Sequence, residues 1–392
     1  MRMVRPMDIA PAGPARLPES GLGRGWEGAA VMGLTLLVLS FGLVTLYSAS
    51  SVFALSQGMP DTFYVVRQGA GAVVGLALLG FCAWMPYRYW ALLAWPLVAA
   101  SVVMLTLCVL PWTYGIAPEI NGARRWLRVG VTIQPSEIAK VAIIVWSSAM
   151  AVRKAPQFKS LRRGLGPFLA VWGLVIGLVT MGPDLSTALV VATLGFVIVF
   201  SAGARIAHFV FLGALVTPAL YMLLRAPYRW ERIKVFGGQL TDPAGAGYQV
   251  KQSLIGIGSG GLYGVGFGEG QQKHGFLPEA HNDFIFAMIG EEWGFFGILL
   301  VVGVYSALVL IGFRIASRAP DLFGELLAIG CTSLVAVQAT LHMAVGLALA
   351  PATGLALPLI SYGRSNLIVT LITLGILISV ARAAPGGKAA RV

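Results

Sequence analysis

The dominant feature of this sequence is a succession of apolar runs, ten of them long enough to approach the ~30 Å thickness of a bilayer's hydrocarbon core. Hydrophobic residues make up 57% of the 392 residues and charged residues only 11%, against about 25% charged in an average soluble chain. This composition excludes a soluble enzyme, a nucleic-acid-binding domain and a disordered chain as the main body, because water cannot solvate such a surface. The predicted spans are residues 29–47, 69–85, 89–110, 138–152, 166–182, 186–202, 206–224, 284–313, 323–349 and 366–382.

The sequence therefore predicts an all-α integral membrane protein with about ten transmembrane helices. The membrane domain covers residues 29–382 and includes a long outer loop, 225–282, between helices seven and eight. A tail of residues 1–28 precedes it and a tail of residues 383–392 follows it. The first tail is polar and proline-rich rather than a basic segment with a cleavage site, so we expect the first span to act as an uncleaved insertion signal.

The distribution of basic residues predicts the orientation. Ten spans place both termini on one side, and the strongest basic cluster, Arg153 to Arg163, falls on that side. Under the positive-inside rule, both termini are cytoplasmic and the protein lies in the cytoplasmic (inner) membrane. The net charge of +12 is then a consequence of topology, and we expect no nucleic-acid partner.

Polar residues with chemical potential concentrate on the outer side. Glu137 and Lys140 share one face of the first turn of the fourth helix; they form either a local ion pair or part of a functional site. Asp184, in the tight turn before the sixth helix, is more simply read as a helix cap. Ser361, in a loop of turn residues before the last helix, is either a hydrogen-bond donor or a cap.

The outer loop contains a glycine-dense run, residues 256–270. No strand–turn–helix unit surrounds it, so a nucleotide-binding fingerprint is rejected, and backbone flexibility or close packing remains. His274 and His281 lack zinc-like spacing. Asp283 stands at the outer mouth of the eighth span, four residues after Glu279, and is a candidate general base or an N-cap.

These groups together suit an amphiphile with an anionic head and a long lipid tail, since several Arg or Lys side chains pair strongly with pyrophosphate oxygens. At this point the sequence resembles the SEDS family (shape, elongation, division and sporulation) of bacterial cell-wall polymerases, most closely its division-type branch and next its elongation-type branch. Two residues depart from the family pattern, Arg364 and His342. The matching strings include Arg125-Trp126, Gln134-Pro-Ser-Glu-Ile-Ala-Lys140, Leu277-Pro-Glu-Ala-His-Asn-Asp283, Gly290-Glu-Glu292 and Ser361-Tyr-Gly363.

The resemblance implies a peptidoglycan glycosyltransferase that polymerises lipid II, with Asp283 as general base. It further implies that Arg125 and Lys140 help to hold or neutralise the pyrophosphate and that Glu137 orients Lys140 or lines the cavity. Glu279 and Ser361 complete the predicted substrate-binding set. The resemblance also implies Mg²⁺ or Mn²⁺ held partly by substrate phosphates, and no organic cofactor. The implied partners are a class B penicillin-binding protein, other divisome proteins and membrane lipids.

Two alternatives stay open at this stage. A transporter that flips lipid II also requires cations and an amphipathic cavity, but it requires polar groups along the inner half of the path as well. A non-catalytic scaffold of the divisome leaves the outer carboxylates without a role.

Overall fold

The computed structural model describes residues 25–119, 122–158, 160–236 and 245–384. Most of both predicted tails and residues 237–244 of the predicted outer loop lie outside this part of the chain. The helices of the described part are α1 (Trp26–Ser56), α2 (Phe63–Trp84), α3 (Trp90–Val109), α4 (Pro135–Lys154), α5 (Gly166–Met181), α6 (Leu185–Ser201), α7 (Ile206–Leu224), α8 (Pro227–Phe236), α9 (Ala246–Ser259), α10 (Ile285–Ser317), α11 (Leu322–Gly346) and α12 (Arg364–Ala383).

The predicted membrane architecture is confirmed. Within the described ranges, eight helices are long and apolar enough to cross a bilayer, and the shorter apolar helices α6 and α7 bring the set to the ten predicted positions. The start of α1 lies against the end of α12, where a Cβ on Gly28 would be 3.7 Å from the Cβ of Ala381. The first and last helices therefore begin and end on the same side of the bundle, as an even number of crossings requires.

The interior of the bundle is built around α4 and α12, each 78% buried over its most apolar window. Close approach of α2 to α12 depends on residues without side chains. A Cβ on Gly75 would lie 2.4 Å from Cδ1 of Leu371, and one on Gly375 would lie 2.6 Å from the carbonyl oxygen of Leu79. Small residues at such contacts let two membrane helices pack by dispersion where the hydrophobic effect supplies no drive.

A break divides α10 into two parts. Gly294 has φ 64° and ψ −158°, which no helical residue adopts. The helix would normally pair the amides of Phe295 and Phe296 with the carbonyls four residues earlier. Instead these amides donate to the carbonyls of Gly261 and Leu262.

The carbonyls freed by this break are satisfied by the same outer-loop segment. Those of Glu291 and Glu292 accept from the amides of Val265, at 2.9 Å, and Gly266, at 3.3 Å. The glycine-dense run of the sequence thus serves close backbone packing. The break also marks where the surface of α10 becomes exposed and apolar. The exposed side chains that follow it are Phe295, Phe296, Leu299, Leu300, Val302, Leu310 and Phe313.

One element was not expected from the sequence. A two-stranded antiparallel sheet, β1 (Leu127–Val129) and β2 (Val131–Ile133), turns at Gly130 on the outer side before α4. The outer loop is also more ordered than a simple connection, since it contains α8 and α9. The hydroxyl of Ser253 in α9 donates to the carbonyl oxygen of Gly346 at 2.7 Å and ties this helix to the end of α11.

The substitution Gly264→Ala tests the packing at the break. A Cβ there would lie 2.1 Å from the carbonyl oxygen of Glu292, at a residue with φ 86°. We expect the free energy of unfolding to fall by more than about 1 kcal/mol, because neither the backbone conformation nor the available space accepts a side chain at this position. Thermal unfolding of the purified protein in detergent measures it. Gly80→Ala is the matched control, since nothing lies within 4 Å of a Cβ at this exposed position in α2; an equal loss in both variants would contradict the prediction.

Candidate functional site

Asp283 lies in the turn that leads into α10, at the end of the bundle opposite the start of α1, which the sequence predicts to face outward. Its amide donates to the carbonyl oxygen of Glu279 at 3.0 Å, as does that of Asn282. Glu279 itself has φ 55°, an uncommon conformation for a residue with a side chain. Across from it stands Gly354, where a Cβ would be 3.6 Å from Oδ2 of Asp283. The carboxylate therefore faces the loop before α12.

The surroundings of Asp283 have opposing effects on its pKa. Burial raises its pKa, the neighbouring carboxylate of Glu279 raises it further, and Arg232 and Arg125 lower it; the result is a pKa of about 6 instead of 3.8. Burial dominates because a charged carboxylate loses its hydration there. The group is thus a base whose strength is matched to neutral pH, held between one anion and two cations.

Arg125 is fixed by the turn between α5 and α6. Its Nε donates to the carbonyl oxygen of Gly182 at 2.9 Å, and its Nη2 donates to that of Pro183 at 2.6 Å. Asp184 follows in this turn and accepts from the amide of Thr187 at 3.1 Å, which is the capping contact the sequence favoured. The turn therefore holds a cation toward Asp283.

Arg232 is the charged residue near Asp283 that the sequence reading did not single out. It projects from α8, and its Nη1 donates to the carbonyl oxygen of Ala352 at 2.8 Å. In the same loop the carbonyl oxygen of Thr353 accepts from the hydroxyl of Ser186 at 2.7 Å. The excess of basic residues in the outer loop was the only sequence signal for Arg232, and it did not distinguish this arginine from its neighbours.

Ser361 lies behind the aspartate and supports its loop. Its hydroxyl donates to the carbonyl oxygen of Asn282 at 2.8 Å and accepts from the amide of Leu357 at 2.8 Å. The side chain is 3% exposed. In this structure the hydroxyl thus fixes the residue next to Asp283, and the substrate-binding role of Ser361 stays a prediction.

His281 anchors the other side of the same turn within an aromatic cluster. Its ring stacks on Phe53 at a centroid distance of 5.0 Å and contacts the rings of Tyr64, at 4.9 Å, and Tyr362, at 6.0 Å. Burial lowers the pKa of His281 from 6.5 to about 4. The imidazole is therefore neutral at physiological pH and belongs to the packing of the turn.

Glu137 and Lys140 form a local ion pair, which is one of the two interpretations that the sequence allowed. Nζ of Lys140 lies 2.8 Å from both oxygens of Glu137. Oε2 of Glu137 also accepts from Nδ2 of Asn366 at 3.0 Å, which joins α4 to α12. Lys140 has no exposed surface, so its ammonium group is not accessible to a substrate in this conformation.

The two residues that the sequence sets apart from the family pattern make contacts in different places, His342 with the loop before α12 and Arg364 with α2. Nδ1 of His342 lies 2.7 Å from the carbonyl oxygen of Leu355 and fixes the middle of that loop. Arg364 opens α12, and its side chain packs where a Cβ on Gly71 would be 3.2 Å away from its Cγ. Neither His342 nor Arg364 is among the charged groups that shift the pKa of Asp283.

The structure thus brings three predicted site residues together, Asp283, Glu279 and Arg125, and adds Arg232 to them. The pair Glu137–Lys140 is linked to this group only indirectly, because the hydroxyl of Ser136 lies 3.4 Å from Asp184, next to the carbonyls that hold Arg125. For a metal, no three His, Cys, Asp or Glu side chains of the described residues come together.

Comparison with known proteins extends these findings. The chain matches the family of cell cycle proteins that groups FtsW, RodA and SpoVE over residues 29–385. It is 38% identical over 349 residues to a protein of Trichlorobacter lovleyi named probable peptidoglycan glycosyltransferase FtsW, covering 88% of this chain and 91% of that one. It is 39% identical to stage V sporulation protein E of Bacillus subtilis over 353 residues, covering 89% and 95%.

Solved structures show the same fold. A chain from a peptidoglycan synthase complex that coordinates polymerization and crosslinking superimposes with a TM-score of 0.76 at 31% identity, over 93% of this chain and 99% of that chain. The crystal structure of the rod shape determining protein RodA of Thermus thermophilus gives a TM-score of 0.66 at 29% identity, over 93% and 98%. With the family match covering nearly its whole membrane domain, this chain is a multi-pass membrane protein of the FtsW/RodA/SpoVE family, the SEDS family that its motifs indicate.

Proposed function

We propose that this protein is a peptidoglycan glycosyltransferase that polymerises lipid II at the outer face of the cytoplasmic membrane, for septal wall synthesis. The observation that carries the proposal is a partly buried carboxylate, Asp283, whose pKa is raised to about 6 by desolvation and by Glu279 against the cations Arg232 and Arg125. This group stands at one end of a helix bundle whose sides are exposed apolar side chains. Its relatives carry the name peptidoglycan glycosyltransferase.

In the proposed reaction Asp283 is the general base. Its carboxylate takes the proton from the 4-hydroxyl of the acceptor GlcNAc as that oxygen attacks C1 of the donor MurNAc. The new C1–O bond forms while the bond from C1 to the phosphate oxygen breaks, and undecaprenyl pyrophosphate leaves. A base with a pKa of about 6 is ionised at pH 7 and still basic enough to share a proton in the transition state.

The arginines act on the leaving group. Negative charge grows on the pyrophosphate oxygens as the bond to C1 breaks, and guanidinium groups that are already oriented stabilise it without reorganisation. Arg125 is oriented by two carbonyls and Arg232 by one. Lys140, sealed with Glu137 between α4 and α12, would join them only where these helices separate to admit the substrate.

Glu279 and Ser361 complete the proposed substrate-binding set. Glu279 raises the pKa of Asp283 and lies four residues before it, at the rim. Ser361 fixes the carbonyl of Asn282, so that a substrate contact by this hydroxyl would require it to exchange one of its present partners.

A divalent cation fits the described donors only in part. Because no cage of three carboxylate, imidazole or thiolate ligands is found among the described residues, Mg²⁺ or Mn²⁺ would be held by one or two carboxylates, Glu279 foremost, and chiefly by the substrate's own phosphates. Such an ion would neutralise pyrophosphate charge. We propose no organic cofactor.

The proposed setting follows from the relatives and from charge. We propose both termini on the cytoplasmic side, since the basic residues Arg314 and Arg318 lie at the end of the bundle where α1 begins and α12 ends. We propose a class B penicillin-binding protein as partner, because a solved relative belongs to a complex that coordinates polymerization and crosslinking. Other divisome proteins and membrane lipids complete the proposed partners.

The substitution Asp283→Asn tests the function directly. We expect purified protein, with its transpeptidase partner, to convert lipid II into glycan, and the variant to lose at least about a hundredfold in rate, as removal of a general base does. Gel analysis of labelled glycan measures it, and unchanged thermal unfolding controls for folding. A parental rate in Asp283→Asn would exclude the base assignment, and transfer of lipid II across vesicles without glycan formation would favour the transporter alternative.

The pH dependence of the rate reports on the same carboxylate. Only the ionised form accepts a proton, so we expect kcat/KM to fall as pH drops through about 6. Glu279→Gln removes a neighbouring anion and should move this acid limb to lower pH. Arg232→Gln removes a cation and should move it to higher pH. Shifts of the same sign in both variants would contradict the proposed arrangement.

The buried pair Glu137–Lys140 should behave as one unit in stability. Lys140→Met leaves the Glu137 carboxylate buried without its cation, and we expect the free energy of unfolding to fall by about 3–5 kcal/mol. Adding Glu137→Gln removes the stranded charge and should recover most of that loss. Thermal unfolding in detergent measures both variants. If the double variant is no more stable than Lys140→Met alone, the prediction that Glu137 and Lys140 act as one unit in stability is contradicted.

A further inference from the structure

A second buried charged cluster lies below the proposed site and has no part in the mechanism above. Nζ of Lys273 is 3.3 Å from Oε1 of Glu292, and this oxygen also accepts from the hydroxyl of Ser48 in α1 at 2.6 Å. Lys273 also donates to the hydroxyl of Ser48 at 3.3 Å and to the carbonyl oxygen of Gly268. The three side chains are 8%, 2% and 3% exposed for Lys273, Glu292 and Ser48.

The neighbouring carboxylate binds the same stretch of loop through its backbone. Oε1 of Glu291 accepts from the amide of Gln271 at 2.8 Å, and Oε2 accepts from that of Gln272 at 3.2 Å. A Cβ on Gly270 would be 2.8 Å from Oε2 of Glu291. The segment Gly268–Lys273 is therefore fastened to α10 by side-chain, backbone and ionic contacts at once.

The position of this fastening along the chain gives it a consequence for the site. Lys273 and Glu292 are nineteen positions apart, and the chain between them contains Glu279 and Asp283. The ion pair thus joins the two ends of the segment 273–292, and the proposed general base lies near the middle of this segment. We name residues 273–292, which include the first turns of α10, the catalytic loop.

The break in α10 gives this closure a further role. The part of α10 that follows Asp283 ends at Gly294, and there the helix's own hydrogen bonds are exchanged for bonds to residues 261–266. Helical continuity therefore does not fix the direction of this first part relative to the rest of α10. Its core packing, the bonds to residues 261–266 and the contacts of Glu291 and Glu292 with the loop and with Ser48 of α1 fix it together.

We propose that Lys273 and Glu292 are positioning residues for the glycosyltransferase reaction: their ion pair locks the catalytic loop to α1 and thereby holds Asp283 in place. A buried ion pair contributes little net stability compared with an apolar pair of the same size, so a purely structural role is a weak explanation for it. The inference rests on the proposed function for its kinetic test, and its second test does not depend on catalysis.

The kinetic test compares Lys273→Met with the parental protein in lipid II polymerisation. A displaced base lowers the rate of the chemical step while the lipid still binds, so we expect kcat to fall by about ten- to a hundredfold and KM to stay within about twofold. Lys273→Arg, which keeps the cation, should recover most of the rate. Parental kcat in Lys273→Met, or no rescue by arginine, would overturn the proposal.

The pH at which kcat/KM falls on the acid side distinguishes a positioning role of Lys273 from a direct effect of its charge on Asp283. The groups that set the pKa of Asp283 are its burial, Glu279, Arg232 and Arg125, and Lys273 is not among them. Loosening the catalytic loop in Lys273→Met admits water to Asp283 and should move the limb below its parental value of about 6. Loss of a nearby cation would instead move it upward, and an unmoved or raised limb would count against the proposal.

Glu27→Gln is the matched control, because Glu27 also joins α1 to α10, at the opposite end of the bundle. Its Oε1 lies 3.0 Å from Nε of Arg314 and 2.5 Å from Nη1 of Arg318. We expect this variant to keep the parental kcat and acid limb. An equal loss of kcat in Glu27→Gln would show a general dependence on α1–α10 packing and would overturn the specific role of Lys273.

Hydrogen exchange followed by mass spectrometry tests the lock without any substrate. In Lys273→Met, peptides covering residues 274–284 should exchange at least about tenfold faster than in the parental protein and in Glu27→Gln, because local opening exposes their amides. Equal exchange rates would overturn the proposal whether or not the protein polymerises lipid II. If Lys273→Met does not fold, Glu292→Asp, which shortens the carboxylate's reach but keeps its charge, is tested in the same way with the same two outcomes.

Discussion

Lipid offers no hydrogen bonds, so the backbone amides and carbonyls inside this bundle must find their partners within the protein itself, and the rest of the structure depends on that constraint. The break at Gly294 shows how it is met. Two amides and two carbonyls released from α10 find partners in the backbone of residues 261–266. Half of these loop residues are glycine, and at Gly264 no side chain fits against the opened helix, because a Cβ there would lie 2.1 Å from the carbonyl oxygen of Glu292.

The same constraint shapes the outer site. Arg125 and Arg232 are each held by main-chain carbonyls of turns, so their charges are oriented before any substrate arrives. Asp283 lies partly buried opposite Gly354 and near Glu279, which raises its pKa and makes it a stronger base. In the proposed reaction an anionic lipid head meets fixed cations at the end of the helices, while its tail stays along the exposed apolar sides of the bundle.

Much of this arrangement was predictable from residues alone. The apolar runs gave all ten crossing positions to within a few residues at most boundaries, because length and hydropathy decide what can span a bilayer. The capping role of Asp184 followed from its place before α6. The convergence of Arg125, Glu279 and Asp283 was expected only because the motifs resemble a family, since nearly sixty positions separate Arg125 from the turn of Asp184 that holds it and a still longer stretch separates it from Asp283.

Other features could not be read from the sequence. Arg232 was one of several basic residues in the outer loop, and nothing local indicated that Ala352 would orient it. The glycine-dense run was compatible with flexibility or with close packing, and Glu291 and Glu292 stood out only as part of the string Gly290-Glu-Glu292. Lys273 became their partner through a contact between segments that no period or motif encodes.

The amino-acid sequence by itself determined the solvent, the number of crossings and the side on which the charged groups gather, because these depend on hydropathy and charge summed along the chain. Only the tertiary structure decided which charges meet. Partner choice depends on distances of a few ångströms between distant segments, where burial strengthens each electrostatic interaction, and those distances exist only after the helices have packed.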